Sequence, residues 1–325
     1  MLKAKVLFVG ALSAQYAEWL TKSAPPGFSV VILPASAGHE KLLKEVEDAD
    51  FLILRHSDFP DEFYQAGKQL KLIHITGMGY DWLPLPLLQE LDIPLANIGG
   101  ENAIAVAEHA VTLMLMVLRR VVPAMAALRD GKWRKDLDDS LSAELHQKTV
   151  GIVGVGNIGR WAGRIVSGFG AKVIFCDAIK MSLTAAALIP GRQVTLDELL
   201  RTADVVSLHV PLSKDTQGLI GSGELDLMKP SAIIINTCRG PVIDEAALID
   251  ALRQQRIAGA GLDVFEQEPI DLSNPLLQME QVLCTPHMGG AAKENFPRRT
   301  SQIWENFEAV LRGELPVNLV NTKVA

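Results

Sequence analysis

Three ionisable residues each follow a short apolar segment in the second half of the chain. Arg239 follows "AIIINT", Glu268 lies in the loop after "GAGLDVF", and His287 follows "QVLCTP". A guanidinium offers a planar fork that matches a carboxylate. An imidazole can exchange a proton near neutral pH. A carboxylate beside it can set its tautomer and favour the imidazolium. One of each is the set that hydride transfer to or from a carbonyl requires. A cation holds and polarises the substrate, and an acid/base pair handles the proton on oxygen. Singly, each has a plainer explanation. Arg239 could pair with Asp244 or Glu245, Glu268 could be one of the surface acids of "FEQEPID", and His287 could cap a turn before two glycines.

A second constellation makes the set cohere. "TVGIVGVGNIGRWAG" places Gly154, Gly156 and Gly159 in G-x-G-x-x-G spacing, with Asn157 and Ile158 between the last two. An apolar strand precedes the glycines and a helical pattern follows, which is the context the motif needs. Such a turn lets a pyrophosphate approach the backbone at a helix N-terminus. Eighteen residues beyond Gly159 the next strand, "KVIFCD", ends in Asp177. A carboxylate there accepts from the two hydroxyls of an adenosine ribose and repels a 2′-phosphate. NAD is therefore expected over NADP, with Lys180 the one nearby cation that opposes this.

The elements that must position these residues alternate along the chain. "AKVLFVG", "FSVVIL", "DFLILR", "LKLIHIT" and "IPLANI" read as strands, separated by helical stretches such as "HEKLLKEVEDA". The alternation restarts with "KTVGIVG", "KVIFCD", "DVVSLHV", "AIIINT", "IAGAGLDV" and "QVLCTP". It predicts α/β architecture with two doubly wound parallel-sheet domains. In such sheets ligands bind beyond the carboxyl ends of the strands, so residues distant in sequence can share one crevice. Between the two series lies one long helical stretch, about 102–130. Its apolar front half predicts burial between layers or subunits, and Pro123 is placed to kink or split it. A polar excursion follows it. The tail segment "NFPRRTSQIWENFEAVLRGELP" reads as a helix stopped by Gly313 and Pro316.

Composition narrows the class. The 325 residues are 48% hydrophobic and 21% charged, the mix of a soluble globular protein with room for two domains. A net charge of −7 without a dense basic run argues against a nucleic-acid surface. Cys176, Cys238 and Cys284 are far apart, so neither a disulfide framework nor a metal site is signalled, and a reducing, cytoplasmic setting is expected. "MLKAKVLFVGALSA" suits a first strand better than a secretory leader. "AVTLMLMVL" is too short for a membrane span.

Taken in order, "ITGMGYDWL", "NAIAVAEHAVTLMLMVLRR", "VGIVGVGNIGR", "VSLHVPLSKDTQGLI", "INTCRGPVIDEAAL", "GAGLDVFEQEP" and "TPHMGG" resemble the D-isomer-specific 2-hydroxyacid dehydrogenase family over nearly the whole chain. The resemblance implies that Arg239 binds the substrate carboxylate and carbonyl, that His287 is the acid/base and that Glu268 is its partner. It places Pro211, Thr216, Thr237, Cys238 and Gly289 along the cofactor, with Asp263 near the nicotinamide amide. Cys238 is then a small packing contact and no nucleophile. Met78 and Gly79 would offer amides to the substrate carboxylate, and Asn102 would open the long helix close by. Arg55 would set a cation at the far end of the substrate, for a phosphate or a second carboxylate; His56 and Ser57 could instead bind hydroxyls, and a solvated loop would equally explain all three.

The resemblance also implies a Rossmann nucleotide domain inserted into a flavodoxin-like substrate domain. The substrate domain would span 1–99 and 290–325, and the nucleotide domain 100–289, with a helical homodimerisation arm at about 101–147. Hinges would fall near 97–100 and 286–290. A small 2-oxo or 2-hydroxy acid would be the substrate, with no nucleic-acid or membrane partner. Two alternatives share the scaffold. A formate- or phosphite-dehydrogenase-like enzyme would share "NAIAVAEHAV", although the formate enzymes carry Gln where Glu268 stands. An NADH-sensing corepressor would keep the same three residues and is expected to carry a disordered tail.

Overall fold

The computed structural model describes residues 4–55, 58–136, 142–178 and 189–321. Lys180, His56 and Ser57 lie outside the described residues. The chain divides into two compact units, Met1–Asn102 with Ala292–Ala325, and Ala103–Ala291.

In the first unit five strands pair in parallel: β1 (Ala4–Val9), β2 (Phe28–Leu33), β3 (Phe51–Leu54), β4 (Leu72–Ile75) and β5 (Leu95–Ala96). Their order is β2-β1-β3-β4-β5, the flavodoxin-like winding. Side chains alternate between two buried faces, as the pleat demands. Leu7, Val9, Leu52 and Leu54 pack with Phe63 and Tyr64 on one face. Val6, Phe8, Phe51 and Ile53 pack with Ile303, Trp304 and Phe307 on the other. Those last three belong to the tail helix Asn295–Leu311, which thereby closes the sheet that the first hundred residues build. Phe51 and Phe307 stack with ring centroids 4.3 Å apart.

Among the described residues the second unit has seven strands: β6 (Thr149–Val153), β7 (Lys172–Cys176), β8 (Arg192–Gln193), β9 (Val205–Leu208), β10 (Ile233–Asn236), β11 (Gly259–Leu262) and β12 (Val282–Cys284). All pair in parallel in the order β12-β11-β10-β9-β6-β7-β8. Six of these strands were legible from apolar runs. β8 was not, because its two residues are exposed and carry no apolar pattern. The winding reverses between β6 and β9, which opens a crevice at their carboxyl ends.

The long helical stretch is two helices, Ala103–Leu118 and Val121–Arg129, bent by 58°. The break falls at Arg120, whose φ of 50° is left-handed. Pro123 causes it from three residues downstream: its ring excludes a helical carbonyl four residues earlier, at Arg119. The first helix buries Ala107, Ala110, Val111, Leu113, Met114 and Leu118 in the core that also holds Val150, Ile152 and Phe175, which accounts for its apolar character. Among the described residues, no single helix is long and apolar enough to cross a membrane.

Candidate active site

The glycine turn sits where the winding reverses. Gly154 has φ +88°, and a Cβ there would meet the His209 carbonyl oxygen at 2.7 Å, so the turn presses against the end of β9. A Cβ on Gly159 would lie 2.0 Å from the Gly154 oxygen, so the helix Asn157–Gly168 starts hard against the turn. Gly156, by contrast, has nothing within 4 Å of where its Cβ would be. That is the open backbone face a pyrophosphate needs. Asp177 follows β7, and its Oδ2 accepts from the Val155 amide at 2.8 Å, which ties the carboxylate to the glycine turn.

Nearby polar atoms fit a dinucleotide as well. Thr237 Oγ1, just past β10, and His209 Nδ1, just past β9, are buried with no hydrogen-bond partner among the described residues. Pro211 and Thr216 form a tight turn after β9, in which Thr216 Oγ1 donates to the Pro211 carbonyl and accepts from the Ser213 amide at 2.8 Å. The cradle, the acid at its edge and the orphaned hydroxyl together suit NAD.

The ends of β10, β11 and β12 lie side by side and carry the three ionisable residues. Asn236 closes β10 by accepting from the Cys238 amide at 3.0 Å and donating to the Arg239 carbonyl at 2.9 Å. This folds the chain so that Arg239 leaves the strand end, with its Nη1 donating to the Cys238 carbonyl at 2.7 Å. Gly240 is obligatory at this point, since a Cβ would fall 1.9 Å from the Phe265 backbone. The Arg239 loop therefore abuts the loop that bears Glu268. Asp244 caps the helix Glu245–Arg253, and Glu245 accepts from Asn274 and from the Glu266 amide. Cys238 is a poor nucleophile here, because burial pushes its thiol up to about 11.

Glu268 and His287 are in contact. His287 Nδ1 lies 2.6 Å from Glu268 Oε2, and Glu268 Oε1 accepts from the Phe265 amide at 3.1 Å. A carboxylate accepts only, so the imidazole donates from Nδ1. The two side chains are 42% and 24% exposed, open enough to meet a small molecule.

His287 has a left-handed backbone, φ 49°, which costs a non-glycine residue about 1–2 kcal/mol. Asp263 holds it there. The Asp263 carbonyl accepts from the His287 amide at 2.8 Å. Its carboxylate accepts from the Met288 and Gly289 amides at 2.9 and 2.7 Å and from Thr285 Oγ1 at 2.6 Å. Burial alone would raise the Asp263 pKa. The bonds from His109, Thr285 and the two amides outweigh it and hold the group below the ordinary carboxylate value. Sequence reasoning placed Asp263 at the cofactor and missed this clamp. The signal was present as a lone histidine, His109, in an apolar helix.

Met78, Gly79, Arg55 and Asn102 belong to the first unit. The Met78 and Gly79 carbonyls accept from Asn97 Nδ2 at 3.0 Å and Trp82 Nε1 at 3.1 Å, which orients the peptide planes of that loop. Arg55 follows β3 and is exposed, with Nη1 donating to the Ala11 carbonyl at 2.8 Å, across the point where this sheet's winding reverses. Asn102 Oδ1 is buried with no partner among the described residues.

Fold and site define a nicotinamide-dependent dehydrogenase with two parallel-sheet α/β domains. Residues 111–289 match the D-isomer specific 2-hydroxyacid dehydrogenase NAD binding domain. A glyoxylate reductase of Thermofilum pendens is 39% identical over 289 residues, covering 88% of this chain and 85% of its own. A D-3-phosphoglycerate dehydrogenase of Archaeoglobus fulgidus is 34% identical over 89% of this chain and 54% of its own. Among solved structures, a glyoxylate reductase from Paecilomyes thermophila superposes with TM-score 0.85 at 30% identity, covering 98% and 99% of the two chains. A D-lactate dehydrogenase with NAD+ from Lactobacillus jensenii gives 0.81 at 27%, covering 98% and 100%. The chain belongs to the D-isomer specific 2-hydroxyacid dehydrogenase family.

Proposed function

We propose that the protein interconverts a small 2-oxo acid and the D-2-hydroxy acid, with His287 as acid/base, Glu268 as its partner and Arg239 as the substrate-holding cation. The observation that carries the reading is the 2.6 Å contact between His287 and Glu268, on a sheet whose other strand ends form the dinucleotide cradle. Gly154, Gly156, Asn157, Ile158 and Gly159 would hold the pyrophosphate, and Asp177 the adenosine ribose. Pro211, Thr216, Thr237, Cys238 and Gly289 would line the rest of the cofactor. When bound, NADH supplies the hydride.

The remaining chemistry falls to the chain's own side chains. Arg239 pairs with the substrate carboxylate and polarises the ketone. The amides of Met78 and Gly79 would bind the substrate carboxylate. His287 donates a proton from Nε2 to the ketone oxygen as C2 is reduced, and Glu268 stabilises the imidazolium on the Nδ1 side before that transfer. In the oxidative direction neutral His287 takes the proton back.

The favoured substrates are glyoxylate and hydroxypyruvate, the acids in the names of several relatives. The test follows NADH absorbance with these two, phosphohydroxypyruvate, pyruvate and phenylpyruvate, and repeats the panel with NADPH. Turnover of one acid supports the reading, with the D-isomer formed wherever the product is chiral; glycolate from glyoxylate is not. Tight NADH binding with silence across the panel would instead favour a sensor.

We further propose a homodimer built on the helix Val121–Arg129. Val122, Met125 and Leu128 lie along one side of it, 45%, 48% and 57% exposed, and Trp133 beyond it is 67% exposed. A run of that size and polarity suits a covered surface.

A further inference from the structure

His109 is the one polar side chain of the helix Ala103–Leu118 that reaches the acid/base loop. Its Nε2 lies 2.9 Å from Thr285 Oγ1 and 3.3 Å from Asp263 Oδ1. Donor and acceptor roles follow from counting hydrogens. Asp263 is held ionised and can only accept, so the single Thr285 hydroxyl hydrogen goes to Asp263 Oδ1. The Thr285 oxygen must then accept from His109, which donates through Nε2–H. The line runs from His109 through Thr285 to Asp263, and the carboxylate at its end grips the Met288 and Gly289 amides. The ring also backs the loop physically. A Cβ on Gly289 would stand 3.5 Å from His109 Cδ2 and 3.0 Å from Asp263 Oδ2, so Gly289 is wedged between them.

This clamp encloses the one left-handed non-glycine residue of the loop. His287 lies between Thr285, which donates into the clamp, and Met288, which is held by it. A strained backbone persists only where its surroundings over-determine it. We infer that His109 is a positioning residue for the reaction: acting through Thr285 and Asp263, it holds the His287 loop in the left-handed conformation that sets the imidazole against Glu268. This rests on His287 being the acid/base.

The test uses the full chain with glyoxylate and NADH. It compares His109→Leu, His109→Gln and Thr285→Val with wild type and with His287→Ala. The Gln amide can donate at about the reach of Nε2, and Leu cannot donate. His109→Leu is expected to lower kcat about 10- to 100-fold, the usual cost of losing an outer support of a reacting group. KM for glyoxylate should stay within about threefold, and Kd for NADH should rise by less than kcat falls, since Asp263 and Gly289 also border the cofactor. His109→Gln should regain most of the lost kcat. Thr285→Val should lower kcat in the same direction as His109→Leu, and the double variant should lose less than the sum of the two singles, because both act on the Asp263 carboxylate.

Hydrogen exchange on the protein without cofactor gives a readout independent of turnover. The Met288 and Gly289 amides should exchange about tenfold faster in His109→Leu, with exchange in β6 unchanged. The inference is overturned if His109→Leu keeps kcat within twofold and leaves exchange of the loop unaltered. It is also overturned if Gln fails as badly as Leu, or if the His109 and Thr285 effects add. Full activity in His287→Ala would sink the proposed acid/base instead, and loop exchange would still report whether His109 holds the segment.

Discussion

Acid is expected to loosen the first unit through His74. The ring is fully buried on β4, where Nδ1–H donates to the Ile75 carbonyl at 3.0 Å and Nε2 accepts from Asn306 Nδ2 at 3.1 Å. Asn306 belongs to the tail helix and also exchanges hydrogen bonds with Val317. Burial lowers the His74 pKa to about 4, from 6.5. A proton added at Nε2 would face the Asn306 amide hydrogens.

Because the folded pKa is depressed, the unfolded chain binds the proton first. Stability is therefore full above pH 6.5 and falls as pH drops toward 4. The difference corresponds to about 3 kcal/mol at about 1.4 kcal/mol per pH unit. Urea unfolding of wild type and His74→Leu between pH 7 and 4 measures it. The variant strands one Asn306 N–H and should lose about 1–3 kcal/mol at pH 7, yet show a distinctly flatter slope below pH 6.5. Comparing the two chains also removes the contribution of His209, which burial likewise lowers to about 4. Equal slopes in both, or a His74 ring seen by NMR to titrate near 6.5, would refute the reasoning.

His287→Ala should lower kcat by about 10²- to 10⁴-fold while NADH Kd, measured by fluorescence, stays within about twofold; equal losses in both would remove His287 from the acid/base role. Glu268→Gln should keep the contact with Nδ1 but not the negative charge, and a kcat unchanged within twofold would show that charge to be irrelevant. Asp177→Ser should narrow the preference for NADH over NADPH by about tenfold or more in kcat/KM, and an unaltered ratio would place cofactor choice elsewhere. Met125→Asp should shift the protein to monomer in analytical ultracentrifugation, and an unchanged sedimentation profile would move the interface off this helix.

The parallel α/β class, the glycine turn and the places of Asp177, Arg239, Glu268 and His287 after their strands could be read from the chain because each depends on local pattern. A buried strand is an apolar run, a phosphate turn is a glycine spacing, and an acid at a strand end is a fixed count from both. The helix break at Arg120 was half legible: Pro123 announced it, but the steric clash acts on the carbonyl four residues earlier. β8 was illegible, since two exposed residues join a sheet only because β7 offers them an edge.

The clamp on His287 was decided by tertiary structure alone. His109, Asp263 and Thr285 lie far apart in the chain, and a hydrogen-bond line among them has no period and no motif. It forms because the helix Ala103–Leu118 buries its apolar sides against the second sheet, which brings a single imidazole to the ends of β11 and β12. Sequence determined which groups could do the chemistry. Packing decided which of them hold the others in place.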